Sequence, residues 1–180
     1  WTYIPENEAS SDPYTLQALG QSLFGVSQVQ ATQLKGRGAQ QTWYRQTSDA
    51  GQRLLGFSKP GVVVTLTPPL PEYPAASALG LGATWSGSSR VIVRAEDGRL
   101  LQSGTVTALY KVLEQRQVTV NKQSYTVWVI SRQMNDDLGG LFPASQSIWF
   151  TPYVGEVRTA EGSILNPIQG ISLDMTFFED

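Results

Sequence analysis

The chain contains no cysteine and no histidine, and only 16% of its 180 residues are charged. Without cysteine the protein has no disulfide framework and no thiolate that could bind a metal or attack a substrate. Without histidine, acid–base and nucleophilic chemistry would depend on carboxylates, Ser, Thr, Tyr or Lys. The sequence also lacks the Gly-x-Ser-x-Gly and Ser-x-x-Lys motifs of serine-dependent enzymes. We therefore predict a protein that is not an enzyme and has no catalytic residues.

The low content of charged residues also argues against some classes of binding partner. A protein that binds a nucleic-acid backbone needs clustered Lys and Arg, whereas the 13 basic residues here are scattered and the net charge is -2. We therefore expect no nucleic-acid partner. Low charge together with much Ser, Thr, Gln and Gly is common in β-rich extracytoplasmic proteins. This composition predicts the periplasm, the outer envelope or the cell surface as the location.

Long hydrophobic runs are missing as well. No stretch approaches the roughly 20 apolar residues of a membrane-spanning helix, so no membrane span is expected in this chain. The chain begins at Trp1 rather than at Met, and no basic and apolar leader is visible. The missing initiator Met indicates a processed or trimmed product, and it leaves open whether a signal peptide or a lipid anchor was removed from the N-terminus.

Most of the chain after residue 25 carries strand signals. Runs of Val, Ile, Thr and aromatic residues alternate with turn signals such as Asp97-Gly98, a strong hairpin dipeptide. Thr105 to Val120 is long for one strand and is expected to bulge near Glu114-Gln115, before Tyr125 to Ser131 returns antiparallel. We predict one mainly β domain, residues 1–180, built as a curved antiparallel sheet or half-barrel. Its parts are an N-terminal segment 1–25, a first β half 26–67, a proline-rich crossing 68–78 and a second β half 79–180.

One segment, Tyr14–Phe24, carries a helix signal. Asp12 can accept hydrogen bonds from the free N–H groups of a first helical turn, and Pro13 suits the first helical position. The apolar residues of the segment recur at helical spacing, at Leu16, Leu19 and Leu23. The pattern therefore predicts an N-terminal amphipathic helix that packs on the sheet.

A loop of acidic residues, Asn135-Asp136-Asp137 followed by Gly139-Gly140, is the metal candidate. Calcium prefers oxygen ligands supplied by a flexible loop, and these side chains carry such oxygens. The loop lacks the spacing of an EF-hand and a downstream glutamate that could bind through both oxygens. We therefore predict an ordinary polar loop, and neither a metal nor another cofactor.

Aromatic residues concentrate in the predicted strands or at their ends. Because alternate residues of a strand face the same side, Trp43 and Tyr44 must point to opposite faces, as must Trp149 and Phe150. One member of each pair is expected in the core. The other can stack on a sugar or contact a partner protein, although core packing plus ordinary surface remains an alternative. The candidate binding residues are Trp43, Tyr44, Trp85, Phe150 and Tyr153.

Several short motifs follow one another in a characteristic order. They are Trp43-Tyr44-Arg45 with the return Leu54-Leu55-Gly56, then Pro68-Pro69-Leu70-Pro71, Gly82-Ala83-Thr84-Trp85, a Val-rich hairpin, and Phe150 to Val157. In this order they resemble TapB-like and related bacterial envelope proteins, which are secreted or lipid-anchored β domains of largely unknown function. The resemblance implies an extracytoplasmic location and a strongly curved sheet or half-barrel, and it transfers no catalytic residue. The N-terminal helix and the turn Asn121-Lys122-Gln123 depart from that pattern.

Three functions remain in competition. The sequence favours a non-enzymatic envelope or cell-surface domain that binds or assembles with a partner protein or an envelope polymer. The first alternative is a carrier, in which the Tyr14–Phe24 helix closes a half-barrel around a lipid or other apolar ligand. The second is a histidine-free polymer hydrolase, which needs two facing carboxylates that the sequence does not reveal. The interior separates the first two, because a carrier needs an apolar cavity whereas an assembly module packs its interior solid.

Overall fold

The computed structural model describes residues 2–5, 13–36, 38–120, 122–152, 154–162 and 175–178. Nearly all of these residues lie in twelve β-strands. In chain order the strands are β1 (Thr2–Pro5), β2 (Tyr14–Phe24), β3 (Ser27–Gly36), β4 (Ala39–Ser48), β5 (Gly51–Lys59), β6 (Val62–Pro74), β7 (Thr84–Ala95), β8 (Leu100–Val120), β9 (Gln123–Asp136), β10 (Ser145–Thr151), β11 (Gly155–Gly162) and β12 (Met175–Phe178). A 3-10 turn, Ala76–Ala78, lies between β6 and β7. In the described part of the chain, no helix has the length and apolarity needed to cross a membrane.

The sheet is an antiparallel meander in which each strand pairs with its neighbours in the sequence. The ten strands from β2 to β11 form one curled sheet, a half-barrel. The short strands β1 and β12 pair with each other, and they also pair with β2 and β11 respectively, so that the strand order closes into a barrel. The prediction of a mainly β fold with a curved antiparallel sheet or half-barrel is confirmed.

The predicted N-terminal helix is wrong, because Tyr14–Phe24 forms strand β2. This strand pairs with β3 along nearly its whole length, and its register shifts between Ala18 and Gly20. Such a bulge adds one residue to a strand and inverts the alternation of its side chains beyond that point. Leu16 and Leu23, seven residues apart, therefore come to the same face of the strand and imitate helical spacing. The capping residue proposed for this helix, Asp12, lies outside the described residues.

The proline-rich segment is also part of a strand rather than a separate crossing. Strand β6 runs on to Pro74, and its second part pairs with β5, where Leu70 lies opposite Leu54. The ladder to β7 ends at Thr67, immediately before the prolines. Proline has no N–H to donate, so it is tolerated where a strand has a bulge or lacks a second neighbour. The sequence correctly predicts an extended conformation here but not the continued pairing.

The long hairpin of β8 and β9 forms as predicted. β8 has 21 residues and pairs with β9 along most of its length. The register shifts between Val112 and Glu114, close to the bulge expected at Glu114-Gln115. In the part of β8 before this bulge, alternate side chains are buried in the main core. Val106, Ala108, Tyr110 and Val112 are each at most 3% exposed. Burial of each such aliphatic side chain contributes about 1.5–3 kcal/mol to folding.

The main core lies on the concave face of the curled sheet. Side chains of strands that are not neighbours meet there, because Tyr73 of β6 stacks on Phe150 of β10 with ring centroids 3.9 Å apart. Phe57 of β5 contacts Phe142 edge to face at 5.7 Å. Such contacts require side chains to reach across the inside of the sheet. A smaller second cluster around Val127 and Val157 joins β2 and β3 to β8–β11.

Candidate functional site

Four residues on the neighbouring strands β7 to β10 form a row across the concave face, and the row includes polar side chains. The register places Trp85 of β7 opposite Tyr110 of β8, Tyr110 opposite Arg132 of β9, and Arg132 opposite Gln146 of β10. Directly opposed residues of antiparallel strands have adjacent side chains on one face. The next row toward the bulge is apolar and fully buried, and it consists of Val112, Ile130 and Ile148. The sheet thus sets polar groups directly beside its most apolar interior.

Stacked aromatic rings frame this row. The indole of Trp85 lies parallel to the ring of Tyr110, with centroids 5.0 Å apart and an interplanar angle of 7°. Its Nε1 donates a hydrogen bond of 3.1 Å to the backbone carbonyl of Glu72, which links β7 to β6. Tyr73, next to Glu72 on β6, forms the stacked pair with Phe150 across the interior. The row therefore lies among aromatic surfaces that its own strands hold in place.

One partly buried arginine near the row, Arg45 of β4, is fully paired. Its guanidinium donates two hydrogen bonds to the carboxylate of Glu72, of 2.7 and 3.2 Å, and a third of 2.8 Å to the hydroxyl of Thr32. Gln52 donates another hydrogen bond of 2.9 Å to the same carboxylate. The carboxylate of Glu72 is shielded from solvent, since Glu72 is 2% exposed, whereas the side chain of Arg45 keeps 17% of its surface exposed. The two-pronged geometry of this ion pair is the strongest form of arginine–carboxylate contact.

The pKa values of this pair shift in the directions that favour charge. Burial is the largest influence on the pKa of Glu72 and raises it, but the charge and hydrogen bonds of Arg45 outweigh it and leave the pKa below its ordinary value. Burial likewise lowers the pKa of Arg45, and the attraction of Glu72 more than reverses this. Both groups are therefore ionised at neutral pH, and Glu72 is a poor proton donor.

Tyr73 satisfies its buried hydroxyl in a second pairing. The hydroxyl donates a short hydrogen bond to the carboxylate of Glu156, which lies on β11, well away from β6 in the sheet. Burial is the main cause that raises the pKa of Tyr73 well above its ordinary value, and the negative charge of Glu156 acts in the same direction. The phenol therefore stays protonated and bridges the interior of the barrel.

A second arginine, the partly buried Arg132, behaves differently. Among the described residues it forms no ion pair, and its inaccessible Nε has no hydrogen-bond partner. The hydroxyl of the adjacent Tyr110, a residue only 1% exposed, also lacks a partner of acceptable geometry. Burial raises the pKa of Tyr110 to about 12, and the nearby guanidinium only partly opposes this. The guanidinium lies close enough to the phenol oxygen to lower the pKa of Tyr110 through a hydrogen bond, so the groups that lack an acceptor among the described residues are the Nε–H of Arg132 and the O–H of Tyr110.

Three of the five candidate binding aromatics come together here. Trp43, Trp85 and Phe150 pack, partly buried, against the main core, and the guanidinium of Arg45 lies 5.2 Å from the ring centre of Trp43. Tyr44 is separate, because it stacks on Phe24 with centroids 4.3 Å apart and its hydroxyl lies 3.1 Å from that of Ser58. Tyr153 lies outside the described residues. Whether any of these side chains binds a ligand stays a prediction.

The acidic loop uses its carboxylates internally. Asp136 accepts hydrogen bonds of 2.8–3.0 Å from the backbone N–H groups of Leu138, Gly140 and Phe142. Partial burial raises its pKa, but these backbone donors outweigh that effect and lower it below its ordinary value. Asp137 accepts hydrogen bonds from the backbone and the hydroxyl of Thr105. Among the residues that the structure describes, no group of three or more acidic side chains could hold a metal ion.

Sequence reasoning missed the polar centre of the site. Arg45, Glu72 and Arg132 look like ordinary charged strand residues, which usually face solvent. For Arg132 a signal was available in the sequence. Alternate residues of a strand face the same side, so Arg132 lies on the same face of β9 as the large apolar residues Trp128, Ile130 and Met134. A charge at a position that otherwise faces the core indicates a buried charge.

Comparisons with protein-family models, with curated proteins and with solved structures find no match for this chain. The resemblance to TapB-like envelope proteins is therefore neither supported nor contradicted by them. The function has to be inferred from the chemistry of the interior.

Proposed function

We propose that the protein is a non-enzymatic binding domain that holds an organic ligand on the concave face of its curled sheet. The observation that supports this most is the set of large aromatic side chains that point to that face yet remain partly exposed. They come from four strands and are Trp43, Trp85, Trp128 and Phe150. Ligand pockets are typically concave and lined by apolar and aromatic side chains, with a few fixed polar groups. The row that contains Arg132 supplies such polar groups.

The proposal adopts the carrier that the sequence left as its first alternative, but without a helix. Strands β2 and β3 take the place of the predicted helix, and together with β1 and β12 they complete the barrel. A lipid or another apolar molecule is the corresponding ligand class. We keep the extracytoplasmic location as part of the proposal because the composition still favours it.

The hydrolase alternative gains no support from the interior carboxylates. Polymer hydrolysis needs one protonated and one ionised carboxyl group that flank a substrate. Glu72 has its oxygens occupied by Arg45 and Gln52, and its pKa is lowered rather than raised. It therefore cannot act as the proton donor, and a non-catalytic domain is the better interpretation.

A domain that assembles with a partner protein or an envelope polymer remains the second candidate. The hairpin of β2 and β3 exposes apolar side chains near its tip, where Val26 is 100% exposed and Leu23 is 67% exposed. Exposed apolar groups that lie close together are a common feature of contact surfaces. The contacts of Tyr73 with Phe150 and Glu156 also fill part of the interior. Both observations favour a packed module whose function is on its surface.

Native mass spectrometry of the protein purified from its own source distinguishes the two candidates. We expect the intact protein to carry an additional mass of lipid size. Trp85→Leu should reduce the occupancy of this molecule, whereas Leu23→Ser should leave it unchanged. A bare protein, or a partner protein lost on Leu23→Ser and kept on Trp85→Leu, would favour the assembly module instead. Melting curves of both variants show whether each remains folded.

A further inference from the structure

The side chains of Arg132 and Tyr110 each carry a polar atom that has no hydrogen-bond partner among the described residues. Most buried polar side-chain atoms in folded proteins have a hydrogen-bond partner, and one that lacks it needs an explanation. A buried donor that has no acceptor destabilises the folded protein. Here two such groups lie directly opposite each other on neighbouring strands. Their proximity suggests one common partner, which lies outside the described part of the chain.

The carboxylates of the interior do not supply that partner. Glu72 is held by Arg45 and Gln52. Glu156 accepts the hydrogen bond of Tyr73 and attracts Arg132 electrostatically, but it forms no ion pair with Arg132. Its charge offsets part of the burial penalty of Arg132 and leaves the donors of the guanidinium available.

We infer that Arg132 and Tyr110 bind the oxyanion head group, a carboxylate or a phosphate, of an amphipathic ligand whose apolar part lies along Trp85 and the neighbouring aromatic side chains. This inference rests on the proposed function, and it names the chemical class of the ligand. A guanidinium can donate two parallel hydrogen bonds to a carboxylate or phosphate. Burial raises the pKa of Tyr110 to about 12, so its phenol is protonated at neutral pH and can donate a third. Stacking on Trp85 holds the ring of Tyr110 in place.

Isothermal titration calorimetry with four probes tests the inference. The probes are decanoate, decyl phosphate, decanol and inorganic phosphate, each titrated into the purified full chain below its aggregation limit. We expect decanoate or decyl phosphate to bind at least about tenfold more tightly than decanol, because hydrogen bonds to charged groups stabilise by about 1.5–3 kcal/mol. The stronger of the two anions identifies the head group. Tight binding of inorganic phosphate alone would show a free anion site and overturn the amphipathic ligand.

Three variants assign the effect to the two residues. Arg132→Met should remove the preference for the anionic probes while decanol binds as before, and Tyr110→Phe should weaken anion binding by about three- to tenfold. Arg90→Met, at an exposed position of β7, is the matched control and should change nothing. An unchanged preference in Arg132→Met would overturn the head-group assignment and leave the binding domain intact. A wild-type protein that binds neither decanol nor the anions would instead reject the binding domain itself.

Discussion

Two partly buried arginines of this barrel have opposite surroundings. Arg45 donates to Glu72 through two nitrogens and to Thr32 through a third. Arg132 has no ion pair within the described part of the chain, and its Nε has no acceptor. Both guanidiniums lie near the same aromatic interior, so their burial alone does not explain the difference. In our proposal, this difference means that Arg45 contributes to the fold, whereas Arg132 binds the ligand.

Tyr73 and Tyr110 show the same contrast, because they differ in whether the hydroxyl group has a hydrogen-bond partner. Tyr73 and Tyr110 are 4% and 1% exposed, and each ring stacks on another aromatic side chain. The hydroxyl of Tyr73 donates to Glu156, whereas that of Tyr110 has no partner among the described residues. Each satisfied group is thus matched by an unsatisfied one of the same type. This allows stability measurements in which every variant has an internal control.

The largest effect is expected for Arg45→Met. The variant leaves Glu72 as an uncompensated buried charge, and removal of one partner of a buried ion pair typically costs about 3–5 kcal/mol. For a chain of this size the melting temperature should fall by roughly 10 °C. The double variant Arg45→Met/Glu72→Met should recover most of this loss, because it removes both charges. A single variant as stable as the wild type would show that Arg45 has no structural role.

A smaller effect separates the two tyrosines. Tyr73→Phe removes a hydrogen bond to a charged acceptor and should lower the free energy of unfolding by about 1.5–3 kcal/mol. Tyr110→Phe removes a hydroxyl that has no partner, so its stability should be equal to or above that of the wild type. Urea denaturation of both variants measures the difference directly. Equal losses in the two variants would mean that Tyr110 has a partner inside the protein after all.

Acid should weaken the Arg45 region selectively. The pKa of Glu72 is lowered in the folded protein, so its contribution to stability is present above the ordinary value of 4.5 and is lost as the pH falls through the folded value. The double variant Arg45→Met/Glu72→Met should therefore lose less stability in acid than the wild type. Asp136 has a pKa shifted in the same direction and remains in both proteins, so part of the acid sensitivity should persist. Parallel pH profiles of the two proteins would contradict the assignment to Glu72.

Much of the fold could be predicted from the sequence, because its signals are local. The hairpin dipeptide Asp97-Gly98, the long return of β8 onto β9 and its bulge near Glu114 all depend on neighbouring residues. The wrong helix prediction for β2 also came from a local signal. A bulge near Gly20 places Leu16 and Leu23 on one face of the strand, as a helix would. A bulge depends on the partner strand, and the order of residues in one segment does not show it.

The polar centre could not be predicted, because it depends on the register between distant strands. Arg45 and Glu72 are 27 residues apart and lie on strands that are not neighbours. Their contact exists only once β4, β5 and β6 have a fixed register and the sheet has curled. Tyr73 and Glu156 are separated by 83 residues. Of the whole site, the alternation of β9 alone carries a local signal, which places Arg132 on the buried face.

The smallest expected change in stability belongs to Arg132→Met, and for this reason it is the most informative. An arginine that held the fold together would cost as much to replace as Arg45. A guanidinium that has no ion pair among the described residues should cost less, because the variant loses only the longer-range attraction that raises the pKa of Arg132, and methionine keeps much of the apolar volume. We expect the free energy of unfolding of the ligand-free protein to change by less than about 1 kcal/mol, measured by urea denaturation beside Arg90→Met. A loss close to that of Arg45→Met would show that Glu156 and Arg132 act as a second structural pair, and the contrast between the two arginines would disappear.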